Sequence, residues 1–371
     1  MSVKKIFKKR INYGEQEEIF NRILNLTKSK LTNKEIKEKL SISNQQFRRY
    51  TAELVDKGLL KNYGSNGKYL LTAKGNIQLK ESLENTGEKK FLLDAYDLSR
   101  EIISLKPDDT LLDVRNFMLR YNISRIIISK NQKPVGIITE KDISNYLYET
   151  YTEKKLSEVL VREIMKKNLL TVSVNSEIKY CTSLMLKNNL SSIILVDDLG
   201  RQQGIVTKSD LVELFAYHYG NQYNLKDWMT SKVHTVDPLE NIHMILLLMN
   251  IHNISRIVVV QNGSPIGIIT ARDLLPISFL FQRKINYSVS QNTRQQRQPY
   301  IPTRLNSIIL AENVMNEPIT VLAESDLAQA AKIMIRNEIS GLPVVNQKNK
   351  LVGIITKTDI VKALDKILRE K

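Results

Sequence analysis

Short β-branched runs alternate with amphipathic stretches along most of the chain, and one arrangement of them occurs four times. The runs Ile126–Ile128, Ile193–Val196, Ile257–Val260 and Leu342–Val345 each lead into a polar turn, at Lys130–Lys133, Asp197–Gln203, Gln261–Ser264 and Asn346–Lys350. Behind each turn stands one phrase: Gly136-Ile-Ile-Thr139-Glu-Lys-Asp142, Gly204-Ile-Val-Thr207-Lys-Ser-Asp210, Gly267-Ile-Ile-Thr270-Ala-Arg-Asp273 and Gly353-Ile-Ile-Thr356-Lys-Thr-Asp359. Run, turn and second run predict a β-hairpin, after which the threonine opens a helix such as Asp142–Tyr148 or Asp359–Leu368. Ahead of the hairpins lie stretches with apolar residues at helical spacing, among them Leu111–Tyr121 and Leu327–Asn337. Short strands precede these at Ile102–Leu105, Leu170–Val174, His234–Val236 and Ile319–Leu322. Each unit therefore reads strand–helix–strand–strand–helix. One unit cannot close a core, so the units are expected to pack in pairs.

The repeats alternate. The first and third read Asn-Ile-Ser-Arg before the hairpin, at Asn122–Arg125 and Asn253–Arg256, where the second and fourth carry Ser192 and Gly341. The first and third place a basic residue just before the aspartate, Lys141 and Arg272. The second and fourth place one just after the threonine, Lys208 and Lys357. Alternation of this kind predicts a duplicated pair, with repeat one joined to two and three to four.

Four matches in register, over about residues 98–370, resemble the CBS family, named for cystathionine β-synthase. The resemblance implies an α/β (α+β) fold of β-α-β-β-α units in two modules. It also implies clefts for AMP, ADP, ATP or S-adenosylmethionine as a regulatory ligand.

Adenosine needs an apolar slot for the base, an acceptor for the ribose diol and positive charge for phosphate. Asp142, Asp210, Asp273 and Asp359 are acceptors at helix starts, and Thr139, Thr207, Thr270 and Thr356 add hydroxyls. Arg125 and Arg256 have the fork that grips phosphate, and Lys141, Lys208, Arg272 and Lys357 are further candidates. The resemblance implies these same ribose and phosphate roles. A threonine followed three residues later by an aspartate is equally a helix N-terminus signature, so a purely structural role stays open for each pair. Phosphate needs a compensating cation, so fewer than four tight sites are expected, one dominant in each pair.

Residues 15–84 follow another grammar. An amphipathic helix at Glu15–Leu26 precedes a capping box, Thr32-Asn-Lys-Glu35, that opens a short helix to Leu40. Ser43 caps a third helix, Asn44–Lys57, ended by Gly58. Runs at Leu59–Tyr63 and Lys68–Thr72 flank the turn Gly64–Gly67, and a last helix is expected over Ala73–Glu84. This order is that of a winged helix-turn-helix, and Tyr69-Leu-Leu-Thr-Ala-Lys-Gly75 resembles archaeal winged-helix regulators. That resemblance implies a third helix in the major groove of double-stranded DNA, with Asn44, Gln45, Gln46, Arg48, Arg49 and Tyr50 as its reading face. Lys61, Asn62, Asn66 and Lys68 would put the wing near phosphate or the minor groove.

Charge sharpens the picture. The net charge is +16, and residues 1–90 hold 20 Lys/Arg against 10 Asp/Glu. A basic block at one end attracts a polyanion by releasing its counterions, and the tail Lys4, Lys5, Lys8, Lys9 and Arg10 adds to it. The single cysteine, Cys181, excludes an internal disulfide and fits a reducing cytoplasm. His218, His234, His243 and His252 form no metal-spaced set, so no metal is expected. No secretory leader or bilayer-length apolar run is seen. Nor is there a nucleophile–base pair or Walker loop, so no catalysis is expected.

The expected organisation is a basic tail (1–14), a winged helix-turn-helix (15–90), repeats at 91–150, 151–220, 221–281 and 305–371, and a polar basic linker at 282–304. The expected function is transcription regulation by a homodimer that binds DNA through the head and an adenosine-containing ligand through the repeats. The alternative is an energy-sensing adaptor whose head grips a protein.

Overall fold

The computed structural model describes residues 13–29, 31–63, 68–72, 74–76, 78, 94–149, 155–275 and 309–370. The basic tail, the 282–304 segment, Asn66 and most of the helix expected over 73–84 lie outside them.

Three helices, Tyr13–Lys28, Asn33–Leu40 and Asn44–Asp56, precede the antiparallel strands Leu60–Tyr63 and Lys68–Leu71. Thr32 and Ser43 each close a reciprocal capping box with the third residue of their helix, Glu35 and Gln46. Both boxes satisfy backbone N–H groups that the first helical turn leaves without partners. Phe20, Ile23, Leu24, Tyr50, Leu54, Leu59 and Leu60 form this unit's own core.

Each repeat builds a three-stranded mixed sheet. A short leading strand runs parallel to the first strand of the hairpin, which pairs antiparallel with the second. The four hairpins share one register: Arg125, Ser192, Arg256 and Gly341 stand opposite Thr139, Thr207, Thr270 and Thr356. A register shift recurs near the far end of each, for example between Ile128 and Ser129.

Pairing of the repeats is reciprocal. The residue after each signature glycine exchanges two backbone hydrogen bonds with a segment that leads into the partner repeat. Ile205 bonds Arg100 (2.9 and 2.9 Å), Ile137 bonds Lys166 (3.0 and 3.0 Å), Ile354 bonds Thr230 (2.9 and 2.9 Å) and Ile268 bonds Asn316 (2.9 and 3.0 Å). Repeat one is thus laced to two, and three to four. The glycines are required here because the crossing segment lies directly over the hairpin: a Cβ on Gly136 would sit 2.4 Å from Met165 Sδ, and one on Gly267 2.3 Å from Met315 Sδ.

The two pairs then meet side by side. Helices Lys208–His218 of repeat two and Leu327–Arg336 and Lys357–Glu370 of repeat four share one apolar core that includes Leu211, Phe215, Ala331, Ile360 and Leu364. Within Lys208–His218 the residues 210–216 are all buried, which explains its nearly continuous apolar sequence. Repeats one and three meet more thinly. Leu275 enters the core of repeat one, and Arg115 Nε donates to its carbonyl at 3.0 Å.

Candidate functional site

All four signature aspartates cap their helices through one oxygen. Asp142 Oδ2 accepts from Thr139 N (2.8 Å) and Oγ1 (2.6 Å). Asp210 does so from Thr207 (2.8 and 2.7 Å), Asp273 from Thr270 (2.7 and 2.6 Å) and Asp359 from Thr356 (3.0 and 2.7 Å). The capping role is therefore real in every repeat. It leaves the other oxygen, Oδ1, for chemistry.

What meets Oδ1 differs from repeat to repeat. Lys166 Nζ lies 2.6 Å from that of Asp142, Asn316 Nδ2 lies 2.8 Å from that of Asp273, and Arg100 Nε pairs with that of Asp210. These three partners occupy the same place on the crossing segments. Repeat four has Thr230 at this place, and Asp359 Oδ1 is met instead by Lys362 of its own helix at 3.2 Å. Lys362 is 55% exposed while Asp359 is 4% exposed, so its hold is set largely in solvent. Sequence reasoning missed Arg100, Lys166 and Asn316. A recurrent signal was present, since Met165, Met229 and Met315 each stand one residue before the crossing position in three of the repeats.

Arg125 and Arg256 point across their pairs. Arg125 Nη1 donates to the carbonyl of Ser191 (2.5 Å), and Arg256 Nη1 and Nη2 donate to the carbonyl and hydroxyl of Ser340 (2.8 and 2.6 Å). The residues after these serines are Ser192 and Gly341. In the second module the alternation has a steric cause: Arg256 lies where a side chain at position 341 would otherwise stand. Arg125 Nε is buried and has no hydrogen-bond partner.

Lys208 and Lys357 come to the same region from repeats two and four. Lys208 Nζ donates to Thr358 Oγ1 (2.9 Å) and Lys357 Nζ to Ser209 Oγ (2.8 Å), a reciprocal contact between equivalent positions. Burial, reinforced by the nearby Arg125 and Arg256, lowers both ammonium groups to about 8. Burial pulls Arg256 down to about 10, and Arg125 falls in the same direction for the same reason. Among the described residues, none of these four cations has an ion-pair partner within 4 Å.

Lys141 and Arg272 lie elsewhere. They cross between repeats one and three, Lys141 onto Asn253 and Arg272 onto Asn122 and Glu140 (2.6 Å to the last). Their sequence alternation with Lys208 and Lys357 separates two junctions, and they do not join the two arginines.

In the N-terminal unit Asn44, Gln45, Gln46, Arg48 and Arg49 are exposed on the third helix. Gln46 is engaged in its cap, and Asn44 Oδ1 accepts from Lys37 (2.5 Å). Tyr50 corrects the expectation: it is 2% exposed and packs edge-to-face on Phe20, so it belongs to the core and presents nothing to a partner. Lys61 Nζ lies 2.5 Å from Glu338 of repeat four. The side chain of Lys68 lies outside the described residues.

Among the described residues no group of three His, Cys, Asp or Glu could hold a metal, and no helix is long and apolar enough to cross a membrane. His234 and His252 stack with ring centroids 3.9 Å apart.

Comparison with known proteins follows the repeats. The CBS domain model matches residues 95–149, 161–217, 225–278 and 311–366. Protein MJ1225 of Methanocaldococcus jannaschii is 26% identical over 283 residues, covering 71% of this chain and 95% of MJ1225. Its crystal structure superposes with a TM-score of 0.62 at 22% identity, over 73% of this chain and 100% of the other. A conserved protein of Pyrococcus horikoshii gives a TM-score of 0.50 at 18% identity, with 73% and 100% covered. The inosine-5'-monophosphate dehydrogenase of M. jannaschii is 30% identical over 119 residues, 32% of this chain and 22% of that enzyme.

Proposed function

The chain belongs to the CBS-domain family, and from that premise we propose that it is a non-catalytic, ligand-responsive regulator of transcription. Its repeats bind an adenosine nucleotide, and its N-terminal unit is a winged helix-turn-helix that binds double-stranded DNA. The observation that carries the ligand reading is the meeting of Arg125, Arg256, Lys208 and Lys357 between the two pairs. Four half-buried cations without carboxylate partners are costly unless an anion completes them. A nucleotide supplies that anion, with its ribose on a signature aspartate. Asp359 is the best seat, because no crossing residue occupies its Oδ1.

Exposed Gln45, Arg48 and Arg49 on the third helix, together with the basic block of residues 1–90, support the DNA reading. Two heads are needed to read a two-fold site, so the working form is a homodimer in a cytoplasmic setting. Light scattering should show about twice the 42.7 kDa of one chain.

Calorimetric titration of the full chain with AMP, ATP, S-adenosylmethionine and adenosine tests the ligand reading. Phosphate-bearing ligands should bind far more tightly than adenosine. Arg125→Ala or Arg256→Ala should erase that preference, and equal losses for AMP and adenosine would reduce the arginines to a structural role.

A further inference from the structure

The helix Lys208–His218 carries Asp210, Glu213 and Tyr217 at the i, i+3 and i+7 spacing that aligns side chains on one face. At one end Asp210 caps the signature turn. At the other, Tyr217 lies under the N-terminal unit: Lys74 Nζ is 4.7 Å from its ring centroid, and its hydroxyl lies 3.4 Å from where a Cβ on Gly58 would stand. Glu213 stands between them and faces both ways. Arg100 Nη2 reaches it at 3.3 Å while Nε of the same guanidinium pairs with Asp210. From the N-terminal unit, Lys61 acts on Glu213 electrostatically, and Glu213 in turn acts on Lys74.

The same unit is tied down at two further points, Lys28 to Asp97 (2.9 Å) and Lys61 to Glu338 (2.5 Å). Ser99, Arg100 and Gln203 of the body and Lys28, Tyr69 and Leu71 of the head line a cavity of about 80 Å³ at this junction. The head is therefore docked through its helix 13–28 and its hairpin.

We propose that Arg100 is a latch through which occupancy of the Asp210 cleft controls docking of the head. This rests on the reading of the signature aspartates as ribose acceptors. Asp210 Oδ2 is fully used by Thr207, so a ribose diol reaching this carboxylate must take Oδ1, the oxygen that Arg100 now holds. The ligand's phosphate offers the displaced guanidinium a stronger partner. Drawing Arg100 away leaves Glu213 buried without its nearest cation, and a buried carboxylate in that state takes up a proton. Its attraction for Lys61 and Lys74 goes with the charge, and the head loosens.

Amide hydrogen exchange on the full chain tests the latch in two arms. Without ligand, Arg100→Met should raise exchange over residues 57–63 and 68–72 by about tenfold and leave residues 327–345 unchanged. Unchanged exchange at the head overturns the latch. If Arg100→Met does not fold, Arg100→Lys gives the same readout, since an ammonium lacks the fork that spans both carboxylates. With saturating AMP, the wild type should show the same rise and Asp210→Asn should not. AMP that binds at Asp210 by calorimetry yet leaves the head unchanged overturns the latch. Absence of AMP binding overturns the ribose reading of Asp210 alone, and the ligand-free arm then decides the latch.

Discussion

A Cβ on Gly341 would sit 2.5 Å from Nη1 of Arg256, so the smallest residue in repeat four stands where the longest side chain of repeat three arrives. The guanidinium cannot retreat easily, because it donates both to the carbonyl and to the hydroxyl of Ser340. Gly341→Val should therefore displace Arg256. Overpacking of this kind costs about 1–3 kcal/mol, which thermal unfolding reads directly. The same variant should lose most of its preference for AMP over adenosine. Gly200→Ala, in an exposed turn with nothing within 4 Å, is the control for nucleotide preference, with only the strain of its positive φ.

Asp359→Asn should weaken AMP and adenosine alike, because the ribose is common to both. Losing a charge-assisted hydrogen bond corresponds to about 1.5–3 kcal/mol, or roughly tenfold to a hundredfold in affinity. Asp273→Asn should cost much less, since Asn316 already occupies Oδ1 there. Calorimetry on both variants checks the ranking, and equal losses would remove the special place given to repeat four.

The lysines at the junction predict a pH dependence. Lys208 and Lys357 titrate near 8 in the folded protein against an ordinary 10.5. The unfolded chain then binds more protons between about 8 and 10.5, so these groups make stability rise with pH across that window. Below about 8 their destabilising contribution is complete and constant. A bound phosphate reverses the trend for affinity. AMP should take up protons on binding near pH 8 and bind less tightly above it, while adenosine should be nearly indifferent. Titration in buffers of different ionisation heat reports the uptake.

DNA binding by the full chain should weaken steeply with salt, and Arg48→Ala with Arg49→Ala should reduce it sharply at any salt concentration. Tyr50→Phe should leave it unchanged, since the ring is in the core. Mobility shift across a salt series measures all three. Complete absence of a shift at low salt, for the wild type, would favour a protein partner for the head.

Burial of Tyr50 was itself legible. Phe47, Tyr50 and Leu54 repeat at three and four residues, the spacing of a buried stripe, and all three lie at or below 5% exposure. Placing Tyr50 with Asn44, Gln45, Gln46, Arg48 and Arg49 on the reading face passed over that period. The capping box Thr32-Asn-Lys-Glu35, by contrast, was complete in a four-residue phrase and formed as expected, and Ser43 caps the third helix as expected.

Local order was what the sequence determined by itself. The hairpins, the recurring signature phrase, the threonine–aspartate caps and the pairing of one with two and three with four all follow from patterns within a few residues or from their repetition. Only the tertiary structure decided which groups meet. Arg100 and Asp210 are 110 residues apart, and Lys357 and Ser209 are 148 apart. No short-range period encodes such distances. Which side chain meets Oδ1 of each of the four chemically similar aspartates depended on the crossing segment, and the separation of Lys141 and Arg272 from Lys208 and Lys357 turned on how two pairs pack. Both are consequences of burial between distant elements, where a side chain's partner is set by the fold and its own sequence neighbours do not record it.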